Sequence, residues 1–284
     1  MVVLGVILII VAVIVVGFYF LSAKPKLEKL ISSERVSIGD TLTAYKETKS
    51  SLGELGKENV VSEDMTIMGR PECEDPLTSP LGQKPCLYYK YTVTETHYET
   101  HRVKDSDGRT RTERRRCTST LEENSNSTRF YVDDGTGKML VDPQDGSFEG
   151  CVKTIDKTDT QFSSSGPSVS FGGFSLNLGN MGDSRPESLH YEEWIIGFDR
   201  NVTVVGTLCD KMGDLLIEKS GDSSVLVSTK SQDEMIAETK STMTMQKVAA
   251  AILAVLGIVC LLIGDSDDGA SNDGNSPALE DYED

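Results

Sequence analysis

Two apolar runs, one near each end, constrain this chain more than any other feature. Residues 2–21, VVLGVILIIVAVIVVGFYFL, hold neither a charge nor a proline. About 20 apolar residues in helix cross the hydrocarbon core of a bilayer. A cleaved leader has a basic start and a shorter apolar stretch, and this run has neither. The second run, VAAAILAVLGIVCLLIG at 248–264, is shorter and alanine-rich. It is apolar on every side, whereas a helix packed on a soluble core keeps a polar face. The sequence therefore predicts transmembrane helices at 1–22 and 248–264, with the lipid bilayer as a partner.

Lys24, Lys26, Lys29 and Arg35 follow the first run, and Lys240 and Lys247 precede the second. The tail, residues 265–284, has no Lys or Arg. Because cytoplasmic flanks carry the excess of basic residues, the domain is expected in the cytoplasm and the acidic, disordered tail outside. The formal net charge of −17 argues against a general binder of nucleic acid.

Between the runs, residues 23–57 read as a helical membrane-proximal segment. Leu27, Leu30, Ile31, Leu42 and Tyr45 recur at helical spacing, with a break expected near Gly39. Gly53 and Gly56 mark a turn. Residues 58–230 change to strand patterning, with DMTIMG entering a turn at Gly69-Arg70-Pro71. CLYYKYTVTETHYETHRVK then predicts a long strand, DSDG a hairpin turn, and RTRTERRRCTSTLEE the returning strand. A two-residue loop sets Glu99 opposite Arg116 or Arg114, so the basic run reads as a charged strand face.

STRFYVDDGTGKMLVDPQDG gives another strand–turn–strand unit. Asp133, Asp134 and Asp142 are near one another in sequence, but the alternating ligand spacing of a calcium loop is absent. Residues 163–185 form a Gly/Ser-rich insertion, in which Phe171, Phe174 and Leu176 are candidate membrane or partner contacts. YEEWIIGF, NVTVVGTLCD, LLIEK and SSVLVST complete the strands. SQDE at 231–234 matches a capping box and opens a linking helix, 231–247, that continues into the second run. The fold class is membrane-anchored α+β, with a β-rich, mainly antiparallel, barrel- or sandwich-like soluble domain between two transmembrane helices.

No catalytic motif emerges: there is no G-x-S-x-G, no P-loop and no G-x-G-x-x-G. The six cysteines include no C-x-x-C pair, which removes the usual zinc-finger spacing. His97 and His101 share a strand face, but four residues along a strand is a wide gap and no third ligand is evident. The reading assigns no catalytic residue, no metal ligand and no cofactor. Cys86, between Pro85 and Tyr88-Tyr89, is expected to pack at the start of a strand, with the two tyrosines on opposite faces.

The order of three segments between two apolar runs carries a resemblance. PLTSPLGQKPCLYYKYTVTE, TRFYVDDGTGKMLVDP and YEEWIIGFDRNVTVVGTL together resemble the GIDE domain of the MULAN-type E3 ubiquitin ligases of mitochondria and plastids. The residues that carry it are Pro80, Pro85, Cys86, Tyr88, Tyr89, Asp134, Gly135, Gly137, Val141, Asp142, Val205 and Gly206. The resemblance implies a substrate- or partner-recognising domain beside a membrane, which the mitochondrial relatives hold in the intermembrane space. The charge count places it in the cytoplasm instead. In those ligases a RING follows the second span; here no Cys or His follows Cys260, so a RING-less, prokaryotic, cell-membrane member is expected. Its expected role is a membrane-anchored interaction or scaffold module with an unidentified protein partner. The alternatives are a ligase-like component acting with a catalytic partner in trans, and a membrane-remodelling or pore-associated protein. Homo-oligomerisation stays open.

Overall fold

The computed structural model describes residues 2–52, 62–104, 108–160, 168–177, 186–211, 214–221 and 224–266. The expected turn at Gly53 and Gly56, most of the Gly/Ser-rich insertion and nearly all of the acidic tail lie outside the described residues. The chain divides into two units, Met1–Ile31 with Met235–Asp284, and Ser32–Glu234.

The first unit is helical. Helix α1 (Val2–Phe18) runs through a π-helical turn (Tyr19–Ala23) into α2 (Lys24–Ser32) without a break. The second helix of this unit belongs to an unbroken α-helix, Gln232–Ser266, numbered α4 below. Both are long and apolar enough to cross a membrane. They meet at glycines: a Cβ on Gly5 would lie 2.8 Å from the Gly257 carbonyl oxygen, and one on Gly257 would lie 2.7 Å from Ile9 Cγ1. Small residues let two helix backbones approach where lipid supplies no hydrophobic drive.

The second unit begins with strand β1 (Glu34–Arg35) and helix α3 (Ile38–Leu52). The helical pattern is interrupted at residues 33–37 rather than at Gly39, which sits in the first turn of α3. Two caps set that boundary. Ser37 Oγ accepts the Asp40 N–H at 3.4 Å, and Asp134 Oδ2 accepts the Ile38 N–H at 2.8 Å. The strands follow as β2 (Ser62–Glu72), β3 (Leu77–Thr78), β4 (Pro85–Cys86), β5 (Tyr88–Lys104), β6 (Thr110–Ser127), β7 (Phe130–Asp133) and β8 (Lys138–Val141). Then come β9 (Ser147–Glu149), β10 (Val152–Asp159), β11 (Ser168–Phe171), β12 (Phe174–Asn177) and β13 (Ser188–Ile196). The last are β14 (Val202–Lys211), β15 (Asp214–Glu218) and β16 (Leu226–Ser228), before α4 (Gln232–Ser266).

Strands β2, β7, β8, β15 and β14 close into a five-stranded barrel, because β14 pairs β2 as well as β15. All its pairs are antiparallel except β15 with β8. Ile67, Phe130, Val132, Val141, Val204 and Ile217 fill its core and are at most 1% exposed. Gly206 is required by that packing, since a Cβ there would lie 2.5 Å from Ile217 Cγ2.

The turn expected at Gly69-Arg70-Pro71 is instead continuous strand. Here β2 changes partner, pairing β14 up to Gly69 and β7 from Arg70 onward. A Cβ on Gly69 would lie 2.3 Å from the Asp133 carbonyl oxygen, so the glycine marks a close strand approach. The sequence cue was right about an irregularity and wrong about its kind.

A second sheet runs β10–β13–β5–β6. Leu81, Tyr91, Val93, Leu189 and Tyr191 form its own buried cluster. Strand β13 covers β5 only as far as Thr96, after which β5 and β6 continue as a two-stranded arm from the His97–Cys117 pair to Lys104–Thr110. The register sets Glu99 opposite Arg115, not Arg114 or Arg116. The connection from Lys104 to Thr110 has an odd number of residues, which shifts the pairing midway between the two expected registers.

Candidate functional site

The signature loop at Ser79–Gln83 is built around one carboxylate. Glu193 on β13 is fully buried. Its Oε2 accepts the Leu81 N–H at 2.7 Å, and its Oε1 accepts Ser79 Oγ at 3.0 Å and Thr154 Oγ1 at 2.8 Å. The Gly82 N–H is shared between both oxygens at 3.1 Å. The β11–β12 turn closes over the loop through the Gly173 N–H, 2.8 Å from the Pro80 carbonyl. Pro80 is half-buried in this loop, and Pro85 is exposed.

Cys86 is fully buried. Burial pushes its thiol up to about 11, with the Glu193 charge adding to the effect. It is a packing residue, as expected. Tyr88 and Tyr89 do face opposite ways: Tyr88 packs on the barrel core and Tyr89 on the second sheet's cluster. Phe171 stacks on Tyr191 with ring centroids 4.9 Å apart, and the Lys157 ammonium lies 4.5 Å from its ring centre. It is thereby a partly buried member of the second cluster. The side chains of Phe174 and Leu176 lie outside the described residues.

The Asp134-Gly135-Thr136-Gly137 turn anchors α3. Asp134 Oδ1 accepts the Thr136 hydroxyl at 2.6 Å and the backbone N–H groups of Thr136 and Gly137 at 2.9 and 3.1 Å. Gly135 takes φ +87°. Burial opposes ionisation of Asp134, but the Thr136, Ile38 and Gly137 hydrogen bonds prevail and hold its carboxyl below the usual range. Asp142 is engaged elsewhere, by Arg129. The three aspartates of the calcium reading do not converge among the described residues.

Two of the three signature segments meet in a cleft of about 550 Å³, through Tyr88 and Asp142. The start of β5, the end of β6 and the loop after Val141 bound it, with Tyr88, Ser125–Arg129 and Asp142–Gly146 among its walls. Tyr88 and Phe148 stack at 3.9 Å and 6° on one side. On another, Arg129 Nε and a terminal guanidinium nitrogen reach Asp142 Oδ2 at 2.8 and 2.6 Å. Asp142 Oδ1 accepts the Gln144 N–H at 3.2 Å. Among the described residues, neither His nor Cys lines this cleft. The walls offer hydrogen bonds, an ion pair and an aromatic face. Arg129 and Phe148 escaped the sequence reading; Arg129 is one residue before the buried Phe130, where alternation alone would have put it on the outer face.

A hydroxyl–imidazole–carboxylate line does occur at Thr158, His190 and Asp156, with Thr158 Oγ1 2.9 Å from His190 Nδ1. It spans the pairing of the edge strand β10 with β13, with Thr158 and Asp156 exposed. The Lys153 ammonium sits 2.6 Å from Asp156 and 2.7 Å from Glu192. The group reads as a compensated surface face.

A comparison with protein families matches residues 98–263 to the GIDE family, described as an E3 ubiquitin ligase. That is more than half of the chain. The chain belongs to the GIDE family. The GIDE match takes in the TRFYVDDGTGKMLVDP and YEEWIIGFDRNVTVVGTL segments and begins after PLTSPLGQKPCLYYKYTVTE. No curated protein and no solved structure matches. Within the GIDE range lie the barrel strands β7, β8, β14 and β15, Asp134, Asp142, Glu193 and Gly206.

Proposed function

We propose that this chain is a two-span membrane protein whose GIDE domain holds a protein partner at the membrane, acting as a scaffold through the cleft around Arg129 and Asp142. The observation that carries this reading is the cleft itself. It joins signature residues from distant segments, its size falls within the range of binding sites, and its walls suit a peptide's amides and side chains. Arg129 presents a largely exposed guanidinium beside an aromatic pair, a combination enriched at the energetic centres of protein interfaces. The domain faces the cytoplasm and the acidic tail lies outside, from the basic residues flanking both apolar runs.

Crosslinking in cells tests it. A photo-crosslinker at Gln144 should capture one reproducible partner, and Arg129→Ala with Asp142→Asn should reduce its yield at least tenfold without lowering the protein's abundance. Capture equal to that of an unrelated two-span control would sink the reading. For topology, a membrane-impermeant maleimide applied to intact cells should leave Cys73 and Cys117 unlabelled. Their labelling would place the domain outside.

The description attached to the GIDE family favours a second reading, a ligase-like component that acts with a catalytic partner in trans. Ubiquitin-like conjugates that vanish when this protein is deleted, and return with the wild type but not the Arg129→Ala chain, would select it over a passive scaffold.

A further inference from the structure

Where β5 and β6 leave the sheet, their facing side chains form a donor set that neither strand shows alone. His97 and Cys117 are directly paired across the strands, at the first position beyond the cover of β13. Glu99 lies two residues on, on the same face. A His97 ring nitrogen, a Glu99 carboxylate oxygen and Cys117 Sγ all lie within 4.8 Å of one another. His97 Nε2 and Glu99 Oε1 are 3.5 Å apart. Two ligands held at about 2.0–2.1 Å on a tetrahedral ion lie about 3.4 Å from each other. The spacing lies at the outer limit of a hydrogen bond and close to that of two ligands sharing an ion.

We propose that His97 Nε2, Glu99 and Cys117 form a binding site for a zinc-class divalent cation, which staples the two strands at the root of the arm. Nitrogen, thiolate and carboxylate together suit zinc, and a water or a donor from a partner completes four-coordination.

The surroundings are built for that role. Glu95, 8% exposed, places Oε1 3.3 Å from His97 Nδ1 and is itself fixed by Ser119 Oγ at 2.8 Å. A carboxylate behind the far nitrogen of a histidine orients the ring and fixes the tautomer that leaves Nε2 for metal. As it stands the contact is not aligned, and His97 Nδ1 and Glu95 Oε2 are both buried without a hydrogen-bond partner. An ion on Nε2 puts the proton on Nδ1, facing Glu95. His101 Nε2 lies 3.0 Å from the other oxygen of Glu99 and steers it in the same way. Glu99 has no ion pair with Lys or Arg among the described residues, unlike Asp156 and Glu192, whose cluster with His190 is already filled by Lys153. A two-stranded ribbon is marginal in water by itself, so a cross-link at its root gives the arm a fixed direction.

Cobalt serves as the probe, because a thiolate on Co²⁺ gives a near-ultraviolet charge-transfer band. The full chain in detergent, reduced, should develop this band with one equivalent of Co²⁺ and lose it when Zn²⁺ is added. Cys117→Ser should abolish the band, and Glu99→Gln should weaken Co²⁺ binding in a chain whose exposed position 99 puts folding at little risk. Glu95→Gln, acting through His97, should weaken binding about 10–100-fold while keeping the band's shape. His190→Gln should change nothing. Absence of the band in the wild type, its survival in Cys117→Ser, or equal weakening by His190→Gln would overturn the site.

Discussion

Glu193 Oε2 accepts the backbone N–H of Leu81 at 2.7 Å, across 112 residues of chain and with no exposure to solvent. Three further groups, from Ser79, Gly82 and Thr154, donate to the same carboxylate. Glu193→Leu fits the apolar face but leaves those donors buried and unmatched, each costing about 1–3 kcal/mol. Even with partial rewetting, a loss of about 3 kcal/mol is expected, or on the order of 6–10 °C in Tm. Thermal unfolding followed by circular dichroism measures it. A change below about 2 °C would mean that the loop stands without its acceptor.

Gly206 tests the barrel's packing. Any side chain there meets Ile217 Cγ2, and overpacking of a filled core costs about 1–3 kcal/mol. Gly206→Val should lower the urea midpoint by about 1 M for a domain of this size. The double variant Gly206→Ala with Ile217→Leu should recover part of the loss suffered by Gly206→Ala alone, because leucine, unbranched at Cβ, has no Cγ2 to collide. No recovery would argue against that contact.

Asp134 gives the fold a defined acid sensitivity. Its carboxyl is held below its ordinary value in the folded chain, so it contributes stability that is fully present above the unfolded value of about 3.9 and is lost as pH falls through the folded one. Asp134→Asn should lower stability at pH 7 by about 1 kcal/mol, the usual scale of a lost helix cap. Its disadvantage relative to the wild type should shrink as pH drops below about 4. Urea midpoints of both chains at pH 7, 5 and 3.5 decide it, and a disadvantage that grows with acidity would refute the assignment.

The cysteines should separate by reactivity. Burial raises both Cys86 and Cys151 to about 11, which leaves a thiolate fraction at pH 7 of about one in 10⁴. In the native chain, maleimide should modify Cys73 well before either of them, and denaturant should erase the difference. Mass spectrometry of timed digests reads the order. Early modification of Cys86 would contradict its role as a packed residue.

Local patterning made the strands, the two apolar helices and the Ser231–Glu234 capping box legible in the sequence. That box forms as expected, with the Ser231 N–H 2.8 Å from Glu234 Oε2 and the Glu234 N–H 3.3 Å from Ser231 Oγ. What was hidden depends on register or on distant partners. A shift of one residue in the β5–β6 hairpin decides whether Cys117 faces His97, and DSDG permits more than one loop length. Glu193 shares strand parity with Leu189, Tyr191 and Ile195, yet its charge argues for the outer face until the donors of a loop more than a hundred residues earlier are known. The helix boundary at Ile38 was misplaced for the same reason, because its cap comes from Asp134.

The glycines that bring the two apolar helices together have a mechanical meaning. With Gly5 facing the Gly257 carbonyl and Gly257 facing Ile9, an axial slip of one residue would carry a side chain into a gap sized for hydrogen. The crossing therefore sets the axial register between the two helices.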